Sequence, residues 1–148
     1  MELFVVYWIY MKGSETIDIL KGKKLRVTPH RLAVYEFFLK NNTPIPAKVV
    51  YEKLQKTGID QVTVYRVIRS LVDSKLIKQI DLGEDQAYFE LVDEHDHHHV
   101  VCNRCKKIAD FTGCEIDQIM SRALTQSQFS SIDTHSLELF GVCKKCAQ

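Results

Sequence analysis

Asp60-Gln61-Val62-Thr63-Val64-Tyr65-Arg66-Val67-Ile68-Arg69-Ser70-Leu71-Val72 is followed by Leu76-Ile77-Lys78-Gln79-Ile80-Asp81-Leu82 and then Gln86-Ala87-Tyr88-Phe89-Glu90-Leu91. In the first run Val64, Val67, Ile68 and Leu71 recur at i, i+3, i+4 and i+7, the spacing of a helix with one face in a core. Asp60 precedes that helix, and Thr63, Tyr65, Arg66 and Arg69 lie largely off the apolar stripe. The next two runs are rich in β-forming residues and flank the turn Gly83-Glu84-Asp85, which makes them a hairpin.

Working back toward the N-terminus, Thr28 suits an N-cap and Pro29 a first helical position, so a helix is expected through Lys40. Its apolar stripe reads as Leu32, Tyr35, Phe38 and Leu39. Asn41-Asn42-Thr43-Pro44 breaks it, Pro46 opens a second helix through Lys56 with apolar Val49, Val50 and Leu54, and Gly58 stops that one. Three short helices and a hairpin make a winged helix-turn-helix, placed at residues 1–92. A recognition helix of that kind enters the major groove with its N-terminal residues. Arg66 and Arg69 suit phosphate or guanine, Tyr65 suits phosphate and a thymine methyl, and Thr63 belongs to the same face. Residues 1–11 stand apart as an atypical, strongly apolar extension, too short for the roughly 20 residues of a membrane span.

The chain has 148 residues, 45% hydrophobic and 26% charged, values ordinary for a globular protein. The net charge of +1 excludes little, but its distribution is uneven. Residues 1–92 carry 14 Lys/Arg against 11 Asp/Glu, and residues 93–148 carry 6 against 8. Lys21 to Arg31 holds five basic residues and no acidic one, a patch able to meet phosphate. No secretory signal is recognisable, so a cytoplasmic, reducing setting is expected, where paired CxxC means metal more often than disulfide.

Such pairs occur in Glu94-His95-Asp96-His97-His98-His99-Val100-Val101-Cys102-Asn103-Arg104-Cys105 and in the closing Cys143-Lys144-Lys145-Cys146. Two CxxC pairs supply four thiolates, a closed tetrahedral site with no position left for water or substrate. The site therefore reads as structural. Short strands are expected at His97 to Cys102 and at Lys107 to Phe111, a helix from about Glu115 to Leu124, and a strand from about Ser131 to Phe140. Successive side chains on a strand face opposite ways, so His97 and His99 share one face and His98 the other. One strand can thus serve two further metal sites, with Glu90, Asp96, Asp110, Asp117 and His135 available to complete them. Imidazole–carboxylate ligation suits Fe(II), Mn(II) or Zn(II).

The order of these motifs resembles the ferric uptake regulator family, from about Leu20 to Cys146. The resemblance is carried by Val62-Thr63-Val64-Tyr65-Arg66-Val67-Ile68, Tyr88-Phe89-Glu90, His97 to Cys105, and Gly141-Val142-Cys143-Lys144-Lys145-Cys146. It implies an α+β protein, an N-terminal winged helix joined at residues 92–96 to a small α/β dimerisation domain over residues 93–148. The implied function is a homodimeric repressor of metal homeostasis genes, most simply iron or zinc uptake, which a metal closes onto an inverted-repeat operator in double-stranded DNA. The implied cofactors are a structural Zn(II) on Cys102, Cys105, Cys143 and Cys146 and a regulatory Fe(II) or Zn(II), with Mn(II) as a further candidate. Regulatory ligands fall on Glu90, His97, His99 and Asp110, and a third site seen in some members falls on Asp96, His98, Asp117 and His135. Arg26, Tyr65 and Arg66 match DNA-contacting positions. Alternatives are a peroxide- or manganese-sensing regulator of the same family and a metal-buffering protein that binds no DNA. One departure stands out: Pro44 occupies a position where many members carry a histidine ligand, and proline cannot ligate. No membrane partner is expected. An enzyme built on the histidines would need an open site with a base, and no HExxH or comparable motif occurs.

Overall fold

The computed structural model describes residues 15–41, 43–92 and 97–148. The apolar extension at residues 1–11 lies outside them, as do His95 and Asp96. No helix among the described residues is long and apolar enough to cross a membrane. The chain divides after Val92 into two compact units.

Among the described residues, the first unit begins with a helix beyond the three expected, α1 at residues 15–22. It buries Thr16 and Leu20, one turn apart. Its end is a Schellman cap: Leu25 N–H reaches Leu20 O at 2.9 Å, and Lys24 N–H reaches Lys21 O at 2.8 Å. Lys24 therefore sits in the left-handed region, at φ 58°. Helix α2 spans Pro29–Leu39, with the Thr28 side chain accepting from Arg31 N–H. Val34, Tyr35 and Phe38 are its buried residues. The expected stripe was slightly out of phase, since Leu32 is half-buried and Leu39 is 41% exposed. Apolar residues occupy most of the circumference of α2, so periodicity alone cannot choose between neighbouring faces.

Ile45–Pro46 forms a two-residue strand, β1, that runs straight into α3 at Ala47–Leu54. A 3-10 turn at Gln55–Thr57 and left-handed Gly58 (φ 82°) end that helix. Helix α4 covers Gln61–Asp73 and buries Val64, Val67, Ile68 and Leu71, the four residues its period selects. A second Schellman cap closes it, with Leu76 N–H on Leu71 O at 3.0 Å and Lys75 N–H on Val72 O at 2.9 Å. Lys75 is left-handed as well, at φ 57°. The hairpin strands β2 (Ile77–Ile80) and β3 (Tyr88–Leu91) pair antiparallel from Ile77↔Leu91 to Ile80↔Tyr88. β1 adds to the far side of β3, giving the order β1-β3-β2. Pro46, which lacks an N–H, is tolerated because β1 is an edge. The core gathers Leu20, Val34, Phe38, Val50, Val64, Ile68, Leu71 and Ile77 from α1, α2, α3, α4 and the hairpin.

The second unit is a three-stranded sheet with β4 (His98–Cys102) at its centre. β5 (Ile108–Phe111) pairs with it antiparallel and β6 (Glu138–Gly141) parallel. Helix α5 spans Ile116–Gln126 and contains no buried residue. The strand expected from Ser131 is much shorter: residues 131–137 have no regular structure. β4 offers five residues, and β6 pairs with its last four, His99 to Cys102, so the earlier segment has no ladder to join.

Candidate metal centres and nucleic-acid interface

The four CxxC sulfurs converge. Every pair of ligand atoms from Cys102, Cys105, Cys143 and Cys146 lies within 4.8 Å. Two local turns build the arrangement, one where β4 ends and one just beyond β6. In the first, Lys106 N–H closes on Cys102 O at 2.9 Å, with Lys106 at φ 61°. In the second, Cys146 N–H closes on Cys143 O at 2.9 Å. Parallel pairing of Cys102 with Gly141 brings the two turns side by side, and Arg104 ties them by donating to the Cys146 carbonyl. Cys143 N–H points at the Cys102 sulfur, 3.3 Å away. Backbone N–H groups of Cys105 and Cys143 lower the Cys102 thiol to about 6, and that of Cys146 lowers Cys143. Cys146 is pushed up to about 12, chiefly by the sulfurs of Cys105 and Cys143. Four sulfurs so close cannot all be anionic unaided; the cluster keeps a proton or takes a cation. The donor set fits a tetrahedral zinc ion.

The histidines divide as alternation on a strand requires. His99 is 2% exposed, and its Nε2 lies 3.7 Å from Asp110 Oδ1 on β5, its register partner. The His97 ring stands nearly perpendicular to that of His99, with centroids 5.1 Å apart. His98 turns to the other face, where it meets His135 at 5.2 Å and Phe111 at 5.4 Å. Asp117, exposed in the first turn of α5, does not complete a three-residue ligand cluster with that pair. Asp96, the remaining member of the expected third site, lies outside the described residues. Glu90 is buried on β3, and its carboxylate pairs with Lys78 at 3.1 Å, its cross-strand neighbour. Pro44 is buried, just before β1.

One acidic residue escaped the sequence reading. Glu138 of β6 is the register partner of His99 on the side opposite Asp110, so carboxylate-bearing residues flank His99 within one row of the sheet. Both Glu138 oxygens accept from the Ser136 hydroxyl, at 2.9 Å. Only the register of a parallel pair identifies it, and a strand expected to begin at Ser131 does not supply that register.

On α4 the outward face carries Val62, Tyr65, Arg66 and Arg69, all exposed, along a groove of about 650 Å³ that Gln79 and Phe89 of the hairpin also line. Thr63 is half-buried and committed to the helix cap. Its N–H donates to one Asp60 oxygen at 2.9 Å and its hydroxyl to the other at 2.6 Å. These bonds hold the Asp60 carboxyl below its ordinary range. Arg26 is exposed in the basic segment between α1 and α2, and its carbonyl accepts from the Arg31 guanidinium.

A model of the ferric uptake regulator family matches residues 22–140. The peroxide-responsive repressor PerR of Staphylococcus saprophyticus is 29% identical over 135 residues, 90% of each chain. Among solved structures, the ferric uptake regulator of Vibrio cholerae matches with a TM-score of 0.72 at 31% identity, covering 85% of this chain and 98% of that one. The ferric uptake regulator of Francisella tularensis, solved with iron, matches with a TM-score of 0.73 at 26% identity, covering 84% and 96%.

Proposed function

The chain belongs to the ferric uptake regulator family, and from that premise we propose a metal-responsive, DNA-binding transcriptional repressor that works as a homodimer on an inverted-repeat operator. The observation that carries this reading is the separation of two metal chemistries on β4. Its Cys102 end closes a four-sulfur cluster, while its histidine end carries buried His99 against Asp110. A closed thiolate site suits a permanent structural ion, and an imidazole–carboxylate site suits an ion that exchanges.

In this proposal Cys102, Cys105, Cys143 and Cys146 hold zinc. Glu90, His97, His99 and Asp110 form the regulatory set, as the sequence resemblance implies. A bound divalent ion supplies positive charge and fixed ligand directions, and the conformation that binds it more tightly is the one populated. Pro44 supplies no ligand atom, so Fe(II), Zn(II) and Mn(II) remain the candidates, chosen by the residues present. Arg26, Tyr65, Arg66 and Arg69 meet DNA; Thr63 acts through the cap of the recognition helix. His98 and His135 form the nucleus of a third site. No catalytic residue belongs to this scheme.

The homodimer is supported by what the second unit leaves uncovered. Ile116, Ile119, Met120, Ala123 and Leu124 follow helical spacing on α5, yet none is buried and Ile119 is 57% exposed. Phe129 is 74% exposed, and Leu139 and Phe140 on β6 are 45% and 49% exposed. Exposed apolar side chains of this kind are what a second copy of the chain would cover.

The test is selection of duplexes from a random pool by the full chain, with and without added Mn(II), Fe(II) or Zn(II). Recovery of an inverted repeat only with a metal is expected. An identical pool without metal, or no selected duplex at all, overturns the reading. A second reading, peroxide response, is favoured by the similarity to PerR across 90% of both chains. It expects the peptide containing His97 and His99 to gain one oxygen atom when iron-loaded protein meets peroxide, and no such gain in zinc-loaded protein.

A further inference from the structure

On the outward face of α4, Val62 is an apolar residue to which neither the motif nor the family resemblance gives a role. Val62 is 66% exposed in its first turn, and Tyr65 is 47% exposed. With Arg66 and Arg69 they stand at i, i+3, i+4 and i+7, opposite the buried stripe of Val64, Val67, Ile68 and Leu71. The outward face is graded in chemistry. Val62 and Tyr65 are apolar at its N-terminal end, Arg66 and Arg69 cationic in the middle, and Asp73 acidic at the far end, where it also borders the groove. Asp73 repels phosphate there, whereas the helix N-terminus carries partial positive charge. The acid at that favoured end, Asp60, has both oxygens turned to Thr63. Thr63 has thereby spent its N–H and hydroxyl proton on the cap, and Val62 is the exposed apolar side chain beside it in the same first turn, in line with Tyr65, Arg66 and Arg69. A β-branched residue on an exposed helix position also gains no packing there and has lower helix propensity than alanine.

We propose that Val62 is a specificity-determining residue that packs on the 5-methyl group of a thymine in the major groove, giving each half-site one required thymine. This rests on the DNA-binding reading above. Thymine alone among the four bases presents a methyl group at that edge; cytosine presents an amino donor, which valine cannot satisfy. Arg66 and Arg69 set the register through phosphate or guanine, and Val62 then reads a neighbouring position.

The experiment uses the full, metal-loaded chain and the duplex selected above. Each thymine is replaced in turn by deoxyuridine, which removes only the methyl, and affinity is measured for wild type and for Val62→Ala. The expected result is a loss of about fourfold per half-site at one position in wild type, the worth of one buried methyl, and no loss at that position in the variant. The thermal midpoint of Val62→Ala should equal or exceed that of wild type, which separates readout from folding. Equal deoxyuridine losses in both proteins, or no loss in either, overturn the proposal while leaving DNA binding intact. Failure to select any duplex overturns both.

Discussion

At the scale of single residues, the cysteine cluster shows how local geometry produces a metal preference. Two tight turns aim backbone N–H groups at sulfur, so Cys102 is lowered to about 6, while Cys146, crowded by its neighbours, is pushed up to about 12. Cys102, Cys105, Cys143 and Cys146 would give up their remaining protons to hold a divalent ion, whose binding would then contribute directly to folding of the second unit. Cys143→Ser is expected to lose the tightly held zinc measured by elemental analysis and to melt the second unit selectively. His99→Ala should keep that zinc and lose only the exchangeable ion. Asp60 gives a separate, pH-dependent prediction. Its folded pKa is depressed below 3.8, so its contribution is full above that value and disappears as pH falls through the lower folded value. The stability advantage of wild type over Asp60→Asn, measured by urea unfolding, should therefore be full above 3.8 and shrink as the pH falls from there through the lower folded value. These ligand types were legible in the sequence because CxxC spacing and strand alternation are local. Glu138 was not, since only the register of β6 against β4 sets it beside His99.

At the scale of elements, the helices of the first unit follow their end signals closely. Thr28 accepts from Arg31 and Asp60 from Thr63, as N-caps should. Thr28→Ala should cost about 1 kcal/mol. The C-terminal ends of α1 and α4 carry an unexpected feature: Lys24 and Lys75 fill the left-handed position that glycine usually takes. Lys75→Gly should raise stability by about 1 kcal/mol, read from the urea midpoint at unchanged slope. An unchanged or lower midpoint would count against the strain argument. Such caps leave little trace in a sequence when lysine holds the position. The same holds for α1, whose short apolar pattern is weak without the core around Leu20. The phase of α4 was readable because polar residues occupy the rest of its surface; that of α2 was less so because few do.

At the scale of the whole molecule, the two units differ in how they are stabilised. The first has an apolar core drawn from α1 to α4 and the hairpin. The second buries Val101, Cys102, His98 and His99 and leaves the apolar face of its helix only partly covered, with Ile119 exposed. Metal and a second copy of the chain are the proposed replacements for a core that a small unit cannot build alone. Light scattering is expected to give a dimer for wild type and a monomer for Ile119→Asp, whose side chain is too exposed to disturb the fold of the isolated chain. A metal-replete Ile119→Asp monomer should bind one half-site weakly and the full operator no better.

Fluorescence anisotropy of the selected duplex against wild type, His97→Ala and His99→Ala shows whether an ion at the histidine site governs DNA binding. Each is measured with the cysteine site kept loaded while Mn(II), Fe(II) or Zn(II) is varied. The expected result is at least a tenfold gain in wild-type affinity with one of these ions, about 1.4 kcal/mol, and no gain in either variant. Binding of equal strength in all three proteins with and without the ion would show that the histidine site does not control DNA binding.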